Sequence, residues 1–317
     1  MWIFILVSTL SWGIAEIFYK KGSLKNEKYC HLKITAFVGI LMGIYATVIL
    51  FTQSVDLKSF PLNFVRYLPV ASCYIISMIC SYFGVRFIEE SIADPIENTS
   101  AAFVPILCAI FLKEKFSPIV IVGIILVAIG LLCVGLFDKK GKIDRQNKLG
   151  RRLAVFAIAM PFCYMILDTV GTFLDIFYVD DATSSLLVNV TESNIEHTAN
   201  CAYEFTFFLI AIVIIIFLKI KGEKLFSIGG EENKGIISKI KVQKWKILAA
   251  VFETIGQATY IFALSEGSGI AAVILGAGTV IISFILSRIF LKEKLTIVQY
   301  CFIAVIISGI VLLSVVG

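Results

Sequence analysis

Ten apolar stretches separated by short charged loops constrain this 317-residue chain more than any other feature, because they recur as five and five. They lie at about 2–19, 34–52, 67–88, 92–112, 117–137, 153–177, 200–218, 246–265, 269–291 and 295–316. A hydrocarbon core of about 30 Å takes roughly 20 apolar residues per helix, so each stretch can cross a bilayer once. The same residues exclude a water-soluble fold: 59% of the chain is hydrophobic and 16% charged, too little polar surface to cover a soluble globule. The expected fold class is all-α integral membrane, with ten transmembrane helices.

The recurrence is carried by short patterns. Phe111-Leu112-Lys113-Glu114-Lys115 returns as Phe290-Leu291-Lys292-Glu293-Lys294, each time between the fourth and last stretch of its half. Upstream, Ser91-Ile92-Ala93 is matched by Gly269-Ile270-Ala271, and Trp12 to Glu16 can be laid on Tyr164 to Asp168. An odd number of crossings per repeat forces the two copies into opposite orientations, which gives two inverted five-helix repeats. The expected organisation is a first repeat at 1–137, a basic linker at 138–152 and a second repeat at 153–317.

Chemistry inside a bilayer is sought among groups that are expensive to put there. An ionisable side chain at a helix centre costs about 2.5–3.5 kcal/mol on insertion scales and usually faces a cavity. Asp168 and Glu253 are deep in their stretches; Glu16, four residues from Lys20, can snorkel or pair there; Glu97 is intermediate, and Glu204 reads as interfacial. Helical spacing gives each acid company on its own face. Ser8, Trp12, Glu16 and Tyr19 form one stripe; Tyr164, Asp168, Thr172 and Asp175 another; Glu253, Gln257 and Tyr260 a third; Asp94, Glu97, Asn98 and Ala101 a fourth. The candidate substrate- or proton-binding set is therefore Asp168, Glu16, Glu253, Glu97, Asn98, Trp12, Tyr164, Gln257 and Tyr260.

Asp168, with Glu16 opposite it across a pseudo-twofold axis, is expected to form part of a central cavity in which at least one acid binds a proton or a cationic substrate. Burial favours the protonated form of a carboxyl, so contact with water on one side would release the proton. The competing reading makes these acids structural hydrogen-bonding groups between helices. Trp12 and Tyr164 can stack on an organic cation or simply pack. Gly276, Thr279, Ser283 and Ser287 read as a helix-packing stripe. Pro95, Pro105 and Pro161 fall in or near the segments that carry Glu97 and Asp168, and proline can break a helix where a transporter builds a site.

Other chemistry is poorly supported. Most of the eight cysteines sit inside apolar stretches as small hydrophobes, and no His/Cys neighbours supply four ligands, so neither metal nor cofactor is implied. Both histidines lie in loops, and no HExxH or Gly-rich phosphate loop occurs, so no enzyme is expected. Nothing calls for nucleic acid. The partners are a small-molecule substrate and membrane lipid, with possible proton coupling, in a monomer or homodimer. Of the 28 basic residues, 24 fall in the loops after the odd-numbered stretches or within about four residues of them, which by the positive-inside rule puts those loops in the cytoplasm and both termini outside. With 22 Lys to 6 Arg and abundant Ile, the composition reads as bacterial, hence an inner-membrane location.

The Trp12-Gly13 pair, Tyr82-Phe83-Gly84 at the end of the third stretch, the Phe-Leu-Lys-Glu-Lys boundaries and the two five-helix halves resemble the drug/metabolite transporter superfamily, specifically EamA-type proteins. Lys113 and Lys292 stand where that family usually carries glycine, and the second half has no Trp-Gly pair. The resemblance, which covers nearly the whole chain, implies ten helices around a central cavity, export of small metabolites or drugs by alternating access and, against the charge count, both termini in the cytoplasm. A lipid flippase or scramblase using the same cavity, or a membrane scaffold, is the alternative.

Overall fold

A computed structural model describes residues 1–24, 27–136, 151–183, 185–226, 236–292 and 296–316. All regular structure among them is helical, as expected of backbone that must satisfy its own hydrogen bonds in lipid. The elements are α1 Trp2–Gly22, α2 Cys30–Thr52, α3 Phe60–Gly84, α4 Glu90–Asn98, α5 Ser100–Leu107, α6 Pro118–Leu136, α7 Arg151–Val179, α8 Ile195–Ile220, α9 Ile236–Leu286 and α10 Ile297–Val316. Among the described residues, eight helices are long and apolar enough to cross a membrane, and Pro118–Val134 is a shorter apolar helix.

Three boundaries differ from the hydropathy reading. The third helix begins at Phe60 and not near 67, because Pro61 starts its first turn and polar Asn63 and Arg66 carry it past the apolar stretch. The eighth and ninth stretches form one long element, α9, interrupted at Ser268 (φ 47°, ψ −138°) between Gly267 and Gly269. The seventh helix begins at Ile195, before polar Glu196 and His197, and so runs five residues further than its apolar stretch at that end. Of the basic linker, residues 138–150 lie outside the described residues, whereas Arg151 and Arg152 already belong to α7.

The recurring pentapeptide has a conformational counterpart. Phe111-Leu112 ends a π-helical turn, Cys108–Leu112, and Phe290-Leu291 ends another, Ser287–Leu291. Each turn is closed by a left-handed lysine, Lys113 (58°, 28°) and Lys292 (58°, 29°), whose amide donates to the carbonyl of the turn's first residue. Glu293 and Lys294 lie outside the described residues.

Packing pairs elements of the first half with elements of the second: α1 on α9, α2 on α8, α3 on α7 and α6 on α10. The α6–α10 crossing is reciprocal. A Cβ on Gly130 would stand 2.5 Å from Ile306, and a Cβ on Gly309 would stand 2.7 Å from Val127. Gly130 is displaced from Gly309, and Val127 from Ile306, by the same number of residues as Lys113 from Lys292. Each helix thus offers the other a bare backbone and a branched side chain.

Two sets of contacts tie the bundle at opposite helix ends. At the end where α1, α3 and α8 finish, Lys20 donates to the carbonyls of Val85 (2.7 Å) and Ile88. Beside it, Glu27 lies between two buried ammonium groups, Lys33 at 2.8 Å and Lys246 at 2.7 Å. Lys246 also donates to Gln243 at 2.5 Å, and Lys33 stands 3.5 Å from half-buried Glu223. Burial acts to raise the Glu27 carboxyl, but Lys246 and Lys33 together hold it below the ordinary glutamate range. Lys33 and Lys246, which a charge count assigns to basic loops, are interior residues here.

At the other end the amino terminus pairs with Glu266, Ser268 donates to Glu114 at 2.9 Å, and Asn63 exchanges hydrogen bonds with the backbone of Val188. Arg66 donates to the Leu186 carbonyl and Asn194 to that of Ser54. Partial burial raises the Glu114 carboxyl, opposed by the Ser268 hydroxyl.

Candidate functional site

Where the helices of the two halves face one another they enclose a cavity. Trp12, Glu16 and Tyr19 come from α1; Tyr74, Met78, Ser81 and Tyr82 from α3; Glu97, Asn98, Ser100 and Ala101 from the α4–α5 junction. Opposite them stand Tyr164, Asp168 and Thr172 of α7 and Tyr203 of α8. From α9 come Glu253, Gln257 and Tyr260 before the Ser268 interruption, and Ala272, Leu275, Gly276 and Thr279 after it. All nine residues singled out from the sequence line this one cavity.

Local chain structure explains the convergence. The fourth apolar stretch is divided at Thr99 into α4 and α5, with Pro95 and Pro105 flanking the division. Proline removes an amide donor and opens the hydrogen-bond ladder, and the Thr99 hydroxyl takes up the Pro95 carbonyl at 2.7 Å. Glu97, Asn98 and Ser100 cluster at this division, level with Asp168. Ser100 donates to Asp168 at 2.6 Å, and Thr169 donates to the Ser100 carbonyl at 3.3 Å, so α7 is hydrogen-bonded to the divided helix.

The other acids have their own supports. Tyr82 donates to Tyr19 (2.9 Å), which donates to Glu253 (2.8 Å), a phenol relay ending on a carboxylate. Tyr260 stacks obliquely on Trp12, with centroids 4.8 Å apart, and shares hydrogen bonds with Thr172 (2.8 Å) and Tyr74 (3.2 Å). Asp175, one turn beyond Thr172, lies outside the cavity and accepts from Tyr67 and Tyr74. Asp94 accepts from Asn98 at 2.6 Å and from Ser283, so it orients Asn98 without lining the cavity.

The charge pattern is one-sided. Four carboxylates and seven aromatic rings face the space, and no Lys, Arg or His stands among its described lining residues. Four acids gathered in a low-dielectric cavity whose described lining carries no basic residue favour protonation or a bound cation. The cavity itself is small, about 70 Å³. A drug-sized ligand needs roughly 300–1,000 Å³, so its walls must part to admit one.

Sequence reasoning missed or misjudged several residues. Tyr74, Tyr82 and Tyr203 carried no signal, since rings in apolar helices are usually packing. Gly276 and Thr279, read as packing, border the cavity; Gly276 also packs closely, with Ala101 2.7 Å from where its Cβ would be. Glu204, read as interfacial, is fully buried in α8, and neither carboxylate oxygen has a hydrogen-bond partner. The error came from the helix boundary: starting at Ile195, α8 puts Glu204 more than two turns inside. Lys20, whose spacing lets it pair with Glu16, donates to backbone carbonyls at the end of α3.

Comparison with known proteins gives two findings. The model of the EamA-like transporter family matches residues 1–136 and 182–315. A chain solved by crystallography, described only as a protein, superposes with a TM-score of 0.60 over 98% of this chain and 99% of its own, at 11% identity, a likeness of fold alone. No curated protein matches by sequence.

Proposed function

We propose that this chain, which belongs to the EamA-like transporter family, exports a small cationic metabolite or drug-like solute by alternating access of the central cavity, with proton exchange at its carboxylates. Membership makes it a multi-pass membrane transporter of small solutes; the substrate charge, the direction and the coupling are the further steps taken here. One observation carries them: Glu16, Glu97, Asp168 and Glu253 converge on a single space whose described lining has no basic residue. A cation and protons that compete for the same carboxylates are thereby coupled, because binding of one releases the other.

In this reading the chain crosses the membrane ten times as two inverted repeats, at 1–137 and 153–317. The matched π-turns at Lys113 and Lys292 and the reciprocal α6–α10 contact support it, as does the interruption at Ser268, which divides α9 into two crossings. The basic loops face the cytoplasm of a bacterial inner membrane and the termini face out.

The test starts from compounds whose ratio between medium and cells rises on overexpression and falls in a null strain. In proteoliposomes loaded with such a compound, an imposed pH gradient drives its movement through the wild-type protein, and Asp168→Asn removes the pH dependence. Transport by Asp168→Asn with an unchanged pH profile refutes the coupling. A substrate set consisting of anions refutes the charge assignment.

A further inference from the structure

Trp245, near the start of the described membrane-spanning part of α9, carries two ammonium groups. Lys21 Nζ lies 4.8 Å from its ring centroid and Lys244 Nζ 4.5 Å, so the two charges stand within about 10 Å of each other, the screening length in about 0.1 M salt. Lys21 also lies 5.0 Å from the ring of Phe290, which is 56% exposed. Nearby in sequence, Arg288 lies over the exposed Tyr300 ring at 5.5 Å. Among the described residues neither Lys21 nor Lys244 has a carboxylate at ion-pairing distance, in contrast to Lys33 and Lys246 close by. Cation–π attraction holds an ammonium on the ring but does not cancel its charge.

The apolar surface beside the pair says what supplies the counter-charge. Leu248, Val251 and Ile255 are exposed and follow Trp245 along α9 at helical spacing, a strip on the membrane-facing surface. A ligand that puts an anionic group on the two lysines and hydrocarbon along that strip is an anionic phospholipid, with Trp245 at the headgroup level where indole rings prefer to sit. We propose that Lys21 and Lys244, gathered on Trp245, form a binding site for the phosphate of an anionic phospholipid. The site shares no residue with the cavity and is independent of what the cavity carries.

Quenching of tryptophan fluorescence by brominated lipids tests it in reconstituted vesicles, with Trp245→Phe defining the part of the signal that belongs to Trp245. Brominated phosphatidylglycerol is expected to quench Trp245 at lower mole fraction than brominated phosphatidylcholine, by roughly fivefold per lysine, the factor for ~1 kcal/mol per basic residue at a membrane surface. Lys21→Gln with Lys244→Gln brings the two lipids together, while Lys219→Gln with Lys221→Gln, equal in charge lost, leaves the preference intact. Equal quenching by both lipids in the wild type overturns the proposal, and so does a preference that survives loss of Lys21 and Lys244. A preference lost equally in the control pair means diffuse surface charge, and one erased by inorganic phosphate means a site for free anions; either result also rejects a phospholipid site.

Discussion

Replacing Glu27 by glutamine takes from two buried ammonium groups the carboxylate they share, leaving Glu223 3.5 Å from Lys33 and the Gln243 amide on Lys246. At an effective dielectric constant near 20, each contact, at 2.7 and 2.8 Å, corresponds to roughly 6 kcal/mol of attraction, much of it offset by the cost of taking the charges out of water. Loss of one partner of a buried pair typically costs about 3–5 kcal/mol, and Gln243 on Lys246 and Glu223 near Lys33 soften the loss toward the lower figure. In detergent, with unfolding followed by tryptophan fluorescence, Glu27→Gln should lower the apparent Tm by roughly 5–10 °C. Since Lys246 and Lys33 hold the folded-state carboxyl below its ordinary value of 4.5, its contribution is fully present above that pH and disappears as pH falls through the lower folded value. The gap between wild type and variant should therefore be flat from about pH 6 to 8 and narrow only below about 4.5. A variant as stable as wild type at pH 7, or a gap that closes near neutrality, would refute the reading of this cluster as a buried, charge-balanced tie.

Lys113→Gly and Lys292→Gly should each be neutral or stabilising by up to about 1 kcal/mol, seen as a small rise in Tm, because glycine enters the left-handed region without the penalty lysine incurs there. Gly309→Val forces a side chain into Val127 and should lower stability by about 1–3 kcal/mol or more, whereas Gly222→Ala, in open space but at φ 72°, should cost only about 1 kcal/mol. Glu204→Met, which removes two unpartnered buried oxygens while keeping the side chain's length, should raise stability by about 1–3 kcal/mol; a marked loss of stability would mean those oxygens have partners.

The helices were legible because lipid imposes a length and a hydropathy that few other environments do. The deep acids were legible for the same reason: Asp168 and Glu253 stand out against apolar neighbours, and a three- or four-residue spacing brought Trp12, Tyr164, Gln257 and Tyr260 with them. What the sequence hid depends on rotation and on ends. Which face of α3 or α8 turns inward decides whether Tyr74 and Tyr203 meet the cavity or a neighbouring helix, and no local pattern sets that. Polar residues at helix ends truncate a hydropathy window, which is how Glu204 came to look shallow and α3 to look short. Lys33 and Lys246 counted as loop charges because their partner, Glu27, is distant in sequence from Lys246.

The reciprocal crossing of α6 and α10 has a consequence for how far the two halves can drift apart. Bulk added at Gly130 is felt by Ile306, its partner across the crossing, and not by its own counterpart Gly309. Each position therefore answers to a neighbour of unlike type, and the twin positions need never match in identity so long as small keeps facing branched. A change at Gly130 is therefore expected to need its answer at Ile306, and one at Gly309 its answer at Val127, so the spacing of the crossing is kept through unlike pairs.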